Sequence, residues 1–124
     1  MKILVAEDEP EILNFYKLIL ESLGHQVVTT KDGKECMDAY RGAFDNGGFN
    51  LVILDYRMPA KDGLEVAREI STMAPLQAML LTTAYYGVLD LKNRPKNMTI
   101  LSKPFDIEEL IAAIDTLLTR TPLA

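Results

Sequence analysis

Apolar residues in this chain follow two alternating rhythms. Short unbroken runs, Ile3-Leu4-Val5-Ala6, Leu51-Val52-Ile53-Leu54 and Ile100-Leu101, have the character of strands buried on both faces. Between them the apolar positions return every three or four residues, as in Ile12, Phe15, Tyr16, Ile19, Leu20 and Leu23, which is the helical period. A strand from Lys2 to Ala6 therefore leads through the acidic turn Glu7-Asp8-Glu9 into a helix. Pro10 suits its first position, where the missing N–H has no partner to lose, and Gly24 stops it. Gln26 to Thr30 is rich in β-branched residues and predicts a second strand. Asp32 caps a helix running to about Phe44, which ends in the turn Asp45-Asn46-Gly47-Gly48. Leu51 to Leu54 is the most apolar strand and the expected centre of a sheet, and residues 55–61 form a loop containing Met58-Pro59. Asp62-Gly63 opens a helix with Leu64, Val66, Ala67 and Ile70 inward, broken at Pro75, and Gln77 to Thr82 predicts a fourth strand. In Tyr85 to Asn97 the apolar positions 88, 89 and 91 start a helix that Asn93-Arg94-Pro95-Lys96-Asn97 breaks early, so the fourth helix is expected to be short or irregular. Thr99 to Leu101 forms the last strand. Asp106 caps a final helix with Glu108-Glu109 in its first turn and Ile107, Leu110, Ile111, Ile114, Leu117 and Leu118 available to the core.

Five strands alternating with five helices predict an α/β fold: a doubly wound parallel sheet with helices on both faces. Right-handed crossovers leave few topologies, of which the flavodoxin-like order 2-1-3-4-5 sets strands 1 and 3 side by side at the switch point. Ligands of such sheets bind beyond the carboxyl ends of the strands. Here those ends carry Glu7-Asp8, Asp55 and, after the last strand, Lys103, so three carboxylates and one ammonium converge.

Composition narrows the setting. At 124 residues and 48% hydrophobic content the chain suits a single domain, residues 1–124, with one packed core. A net charge of −5 argues against direct nucleic-acid binding, which calls for a basic surface. The single cysteine, Cys36, lies in a helical stretch and is expected to be packed rather than nucleophilic, in keeping with a reducing compartment. No apolar stretch is long enough to span a bilayer, and only Lys2 precedes the first short apolar run, so neither a membrane segment nor a signal peptide is expected and the reading is cytoplasmic. His25, after Gly24, is expected to be an exposed turn residue.

Three carboxylates in one cleft repel one another and raise each other's pKa. A hard divalent cation relieves that repulsion, and Mg²⁺ favours a few carboxylates, waters and a phosphate oxygen. A nearby lysine supplies a point charge for a further phosphate oxygen. These are the parts of metal-assisted phosphoryl transfer with a carboxylate as nucleophile.

At these positions the chain strongly resembles the receiver domain of two-component response regulators. The resemblance rests on Ile3-Leu4-Val5-Ala6-Glu7-Asp8-Glu9-Pro10, Leu51-Val52-Ile53-Leu54-Asp55-Tyr56-Arg57-Met58-Pro59, Asp62-Gly63, Thr83-Ala84 and Lys103-Pro104-Phe105, and covers essentially the whole chain. It implies that Asp55 is the phosphoacceptor. It further implies that Asp8 binds Mg²⁺, or another divalent cation such as Mn²⁺, directly, Glu7 through water, and Arg57 through its backbone carbonyl. Lys103 would hold a phosphoryl oxygen and contact Asp55, Thr83 would be the switch hydroxyl with Ala84 leaving room beside it, and Pro104 would follow a cis peptide. The implied partners are a sensor histidine kinase or histidine phosphotransfer protein and an unidentified downstream protein or output domain. The implied chemistry is limited to the domain's own phosphorylation and autodephosphorylation.

Taken singly, each motif has an ordinary explanation: Asp55 as a turn residue, Glu7-Asp8 as acids at a helix start, Lys103-Pro104 as a loop dipeptide. Their joint occurrence outweighs those explanations. Thr83 is preferred to Thr82 as the switch because Ala84 follows it and strand alternation is expected to turn Thr82 elsewhere. An aspartyl phosphohydrolase is disfavoured by Arg57, since such enzymes commonly carry a second aspartate there. An FMN-binding flavodoxin is disfavoured by the lack of a Ser/Thr/Gly-rich loop after the first strand. Three departures from the family pattern are visible: Glu7 in place of the commoner aspartate, Ile100 where many receivers carry Tyr or Phe, and a short segment with Pro95 before the last strand.

Overall fold

A computed structural model describes residues 1–85, 87 and 94–119 of the chain. Five strands, β1 (Lys2–Ala6), β2 (Gln26–Thr30), β3 (Leu51–Asp55), β4 (Met79–Thr83) and β5 (Met98–Ser102), form one sheet in the order β2-β1-β3-β4-β5. Every neighbouring pair is parallel. The helices described are α1 (Pro10–Ser22), α2 (Gly33–Ala43), α3 (Gly63–Met73) and α4 (Ile107–Thr119). The short or irregular helix expected between β4 and β5 falls on residues 86 and 88–93, outside the described residues.

Strand alternation divides the core into two layers. Leu4, Val52, Leu54 and Leu81 face α2 and α3, where Met37, Tyr40, Val66 and Ile70 meet them. Ile3, Val5, Ile53 and Leu80 face α1 and α4, against Tyr16, Leu20, Leu110 and Ile114. The central strand β3 is buried along its whole length, which is why its sequence reads as a continuous apolar run rather than an alternating one.

Helix starts follow the predicted chemistry. Asp32 Oδ1 accepts from the Glu35 N–H at 2.7 Å. Asp62 and Glu65 form a reciprocal capping box, with Glu65 N to Asp62 Oδ1 at 2.8 Å and Asp62 N to Glu65 Oε1 at 3.2 Å. Asp106 and Glu109 repeat the arrangement ahead of α4. Pro10 opens α1 without a side-chain cap.

Several boundaries shift for identifiable reasons. Strand β4 begins at Met79 rather than Gln77, because the Gln77 N–H closes a turn onto Ala74 and its side-chain oxygen accepts from Tyr40 Oη at 2.7 Å. Strand β5 runs a residue further at each end than expected, in register from Met79↔Met98 to Thr83↔Ser102. Likewise β3 extends to Asp55, which pairs with Thr82. His25 is half-buried rather than exposed, its Nδ1 enclosed without a hydrogen-bond partner, and its pKa is lowered by that burial and by the nearby N-terminal amine.

Gly63 is fixed by contact. A Cβ on Gly63 would run into the Asp55 carbonyl and lie 2.7 Å from Leu81 Cδ1, so α3 can approach the β3 end only through a glycine. Gly63→Ala is expected to destabilise the fold by about 1–3 kcal/mol through overpacking. Chemical denaturation would check this, and an unchanged midpoint would show that the helix has room to withdraw.

Candidate functional site

Parallel pairing of β1 with β3, Ala6 opposite Leu54, carries the next residues, Glu7 and Asp55, to the same sheet edge. Carboxylate oxygens of Glu7, Asp8 and Asp55 lie within 4.8 Å of one another. Asp8 is exposed, whereas Glu7 is 1% and Asp55 7% exposed. Lys103, delivered by the turn after β5, reaches back to place Nζ 2.8 Å from Asp55 Oδ1 and 3.9 Å from Glu7 Oε1. The Lys103–Pro104 peptide is cis, as the resemblance implies.

Above these groups opens a cleft of about 360 Å³, lined by Asp8, Asp55, Arg57, Thr83, Ala84 and Lys103 among others. At about 30 Å³ per water, that volume can hold a hydrated cation beside a phosphoryl group. The cleft's rim is a paired element: Arg57 Nη1 donates to Tyr85 Oη at 3.0 Å, and its guanidinium lies 4.7 Å from the Tyr85 ring centroid. Thr83 is tied to the same residue, its Oγ1 accepting from the Tyr85 N–H at 2.9 Å.

Electrostatics at the base of the cleft are unbalanced. Glu7 Oε2 accepts from the Glu9 N–H at 3.1 Å, but Oε1 is buried and has no hydrogen-bond partner. Burial, and to a lesser degree the Asp55 charge, push the Glu7 carboxyl up to about 7, against the lowering effect of the Glu9 N–H and Lys103. Burial works against the Lys103 ammonium, yet Asp55 and Glu7 outweigh it and hold the group above the ordinary lysine value. An orphaned, buried carboxylate oxygen beside two more carboxylates is a donor set that fits a hard divalent cation.

All the sequence-predicted site residues meet here: Glu7, Asp8 and Asp55 in the acidic cluster, with Arg57, Thr83 and Lys103 around the cleft. Sequence reasoning missed two. Thr82 does not turn away: its Oγ1 donates to Asp55 Oδ1 at 3.3 Å. Tyr16, on α1, is 2% exposed and its hydroxyl is enclosed near the Thr82 hydroxyl and the Glu7 and Asp55 charges. The overlooked signal is strand register, since residues paired across parallel strands share a face, and Asp55 is paired with Thr82. Cys36 is buried as expected, its thiol pushed up to about 12 by desolvation and thus unreactive. Among the described residues no helix is long and apolar enough to cross a membrane.

Comparison with known proteins agrees with this geometry. Residues 3–115 match the family model of the response regulator receiver domain. The transcriptional regulatory protein TrcR of Mycobacterium tuberculosis is 32% identical over 98% of this chain, which spans 46% of TrcR. The peroxide stress-activated histidine kinase mak3 of Schizosaccharomyces pombe is 37% identical over 89% of this chain, a stretch that makes up 5% of mak3. The chain thus spans less than half the length of either relative. Among solved structures, the response regulator protein TrrA of Thermotoga maritima, in complex with Mg²⁺-BeF, superposes with a TM-score of 0.80 at 35% identity, covering 94% of this chain and 98% of that one.

The raised Glu7 value fixes the sign of a pH effect. Glu7 holds its proton more tightly folded than at its ordinary value of 4.5, so its contribution to stability is full below that pH and is lost as pH rises through about 7. In chelator-treated protein, the melting temperature of the wild type should fall relative to Glu7→Gln between pH 5 and 8. Parallel curves would show that Glu7 is ionised at no cost.

Proposed function

The chain belongs to the response regulator receiver domain family, the phosphoacceptor module of two-component signalling, and on that premise we propose that Asp55 is the residue that takes the phosphoryl group. The observation that carries this reading is the Lys103 Nζ contact on Asp55 Oδ1, at the floor of a cleft flanked by Glu7 and Asp8. Asp8, Asp55 and the Arg57 backbone carbonyl would hold a Mg²⁺ ion, or another divalent cation such as Mn²⁺, with Glu7 contributing through water. When bound, the cation neutralises charge on the carboxylate cluster and on the phosphoryl oxygens.

The protein's own groups perform the rest. Asp55 attacks phosphorus through a carboxylate oxygen as the P–N bond of the donor phosphohistidine breaks and its electron pair stays on the imidazole nitrogen, in a loose transition state that asks for positioning and charge stabilisation more than for covalent assistance. Lys103 exchanges part of its contact with Asp55 for a phosphoryl oxygen. The Thr83 hydroxyl leaves the Tyr85 N–H and donates to another. A hydrogen bond to a charged group contributes roughly 1.5–3 kcal/mol, a population shift of about ten- to a hundredfold, so a pre-existing two-state equilibrium suffices. Because position 100 is an isoleucine, the shift is read without the threonine–aromatic coupling common in the family.

The phosphoryl donor is a phosphohistidine on a sensor histidine kinase or a histidine phosphotransfer protein, and the receiver of the signal is a downstream protein or output domain. Residues 1–124 act as a single cytoplasmic receiver domain that catalyses only its own phosphorylation and dephosphorylation.

Incubation with a small phosphoramidate donor tests the assignment by intact mass. Wild type with Mg²⁺ should gain one phosphoryl group, and the gain should vanish with chelator or in Asp55→Asn. Lys103→Ala should be phosphorylated at least tenfold more slowly, on the order of a lost charged hydrogen bond. A gain that survives Asp55→Asn would place the chemistry elsewhere.

A further inference from the structure

The two oxygens of Asp55 are treated unequally. Oδ1 accepts from Lys103 Nζ at 2.8 Å and from Thr82 Oγ1 at 3.3 Å. Among the described residues Oδ2 accepts no hydrogen bond. Thr82 is fully buried on β4, opposite Asp55 in the sheet, in a position whose neighbours along that face are the apolar Leu80 and Ile53. Behind it stands Tyr16, whose ring packs in the same apolar layer while its hydroxyl is enclosed. That hydroxyl is near enough to the Thr82 hydroxyl to be influenced by it, but has no hydrogen-bond partner. Burial, with the Glu7 and Asp55 charges, raises the Tyr16 pKa and Thr82 only partly opposes this, so the phenol keeps its proton and is available as a donor. A hydroxyl supplies one proton and accepts through its lone pairs. Tyr16 can therefore donate to Thr82 while Thr82 donates to Asp55.

We propose that Thr82 is a further catalytic residue of the phosphoryl site and Tyr16 its positioning residue, the two hydroxyls together speeding loss of the phosphoryl group from Asp55. The inference rests on Asp55 being the phosphoacceptor, as proposed above. With Oδ1 occupied by two donors, Oδ2 is the oxygen that bonds phosphorus. In hydrolysis a water oxygen bonds to phosphorus as the P–Oδ2 bond breaks. The bonding pair stays on Oδ2, the Asp55 carboxylate is restored, and both water hydrogens leave on dihydrogen phosphate. As the bond breaks, charge spreads over both carboxylate oxygens. The Thr82 donor is consequently worth more to the departing carboxylate than to the carbonyl oxygen of the acyl phosphate, and this difference accelerates the step. Tyr16 acts only through Thr82, by keeping the threonine proton directed at Oδ1.

The full chain is phosphorylated with phosphoramidate and Mg²⁺, the donor is removed, and loss of the phosphoryl mass is followed. Thr82→Val, which keeps the shape, should lose its phosphoryl group about three- to tenfold more slowly than wild type. Thr82→Ser should restore a rate near wild type. Tyr16→Phe should slow the loss by a smaller factor, and should add nothing when combined with Thr82→Val. If Thr82→Val decays at the wild-type rate, or Thr82→Ser decays as Thr82→Val does, the hydroxyl has no such role. If the Tyr16→Phe effect is undiminished in the Thr82→Val background, Tyr16 is not acting through Thr82. Failure of the wild type to accept a phosphoryl group would overturn the Asp55 assignment as well, whereas a phosphorylated wild type with an indifferent Thr82→Val overturns this inference alone.

Discussion

The contact of Lys103 with Asp55 is the interaction on which the rest of the site depends. Three carboxylates converge at the ends of β1 and β3, two of them buried, and Lys103 is the ammonium the fold brings within 4 Å of both Asp55 and Glu7. One positive charge does not balance three negative ones. Glu7 shows the strain: its Oε1 has no hydrogen-bond partner, and burial first, then the Asp55 charge, push its carboxyl up to about 7. Buried charges of this kind weaken a fold unless something arrives to neutralise them. A site that is strained without its ligands and relieved with them responds to those ligands, which is the property a signalling switch needs.

That strain is held by a rigid frame. Parallel register sets Glu7 beside Asp55, the capping box of Asp62 and Glu65 fixes the start of α3, and Gly63 lets that start pack directly on the Asp55 carbonyl. The chemistry therefore sits at strand ends and in the turns that directly follow them, with a second linked group at the rim. Thr83, Tyr85 and Arg57 form a connected set there, through the Thr83–Tyr85 hydrogen bond and the Arg57–Tyr85 stack. On β5, Ile100 is aliphatic and half-buried against the α2–α3 layer. With no aromatic ring at that position, Tyr85 is the aromatic residue tied to Thr83, through its backbone N–H, while its ring stacks on Arg57.

Much of this was legible in the sequence because the signals are local. Apolar runs gave the strands, and Asp32, Asp62 and Asp106 each cap a helix through contacts within three residues. Glu7, Asp8, Asp55 and Lys103 stand out because each lies at a strand end or in the turn that follows, and the resemblance to receiver domains adds Arg57 and Thr83. What was not legible depends on contacts between distant segments. The sequence favours Thr83 over Thr82 through the following Ala84 and strand parity, but parity within β4 does not say which side faces Asp55. Only the register Asp55↔Thr82 does. Tyr16 reads as one more apolar position of α1, and nothing local reveals that its hydroxyl ends beneath a carboxylate 39 positions along the chain. His25 was expected in solvent because the sequence does not show what packs over the turn after α1, where the N-terminal amine and Asp115 come near it.

On the proposed mechanism the acyl phosphate forms on one carboxylate, Asp55. Borohydride reduces an acyl phosphate and converts the aspartate that carried it to homoserine. Peptide mapping of phosphorylated, reduced protein should locate homoserine at position 55 and at no other acidic residue. Homoserine at Asp8, or its absence from a protein that has gained the phosphoryl mass, would contradict the claim.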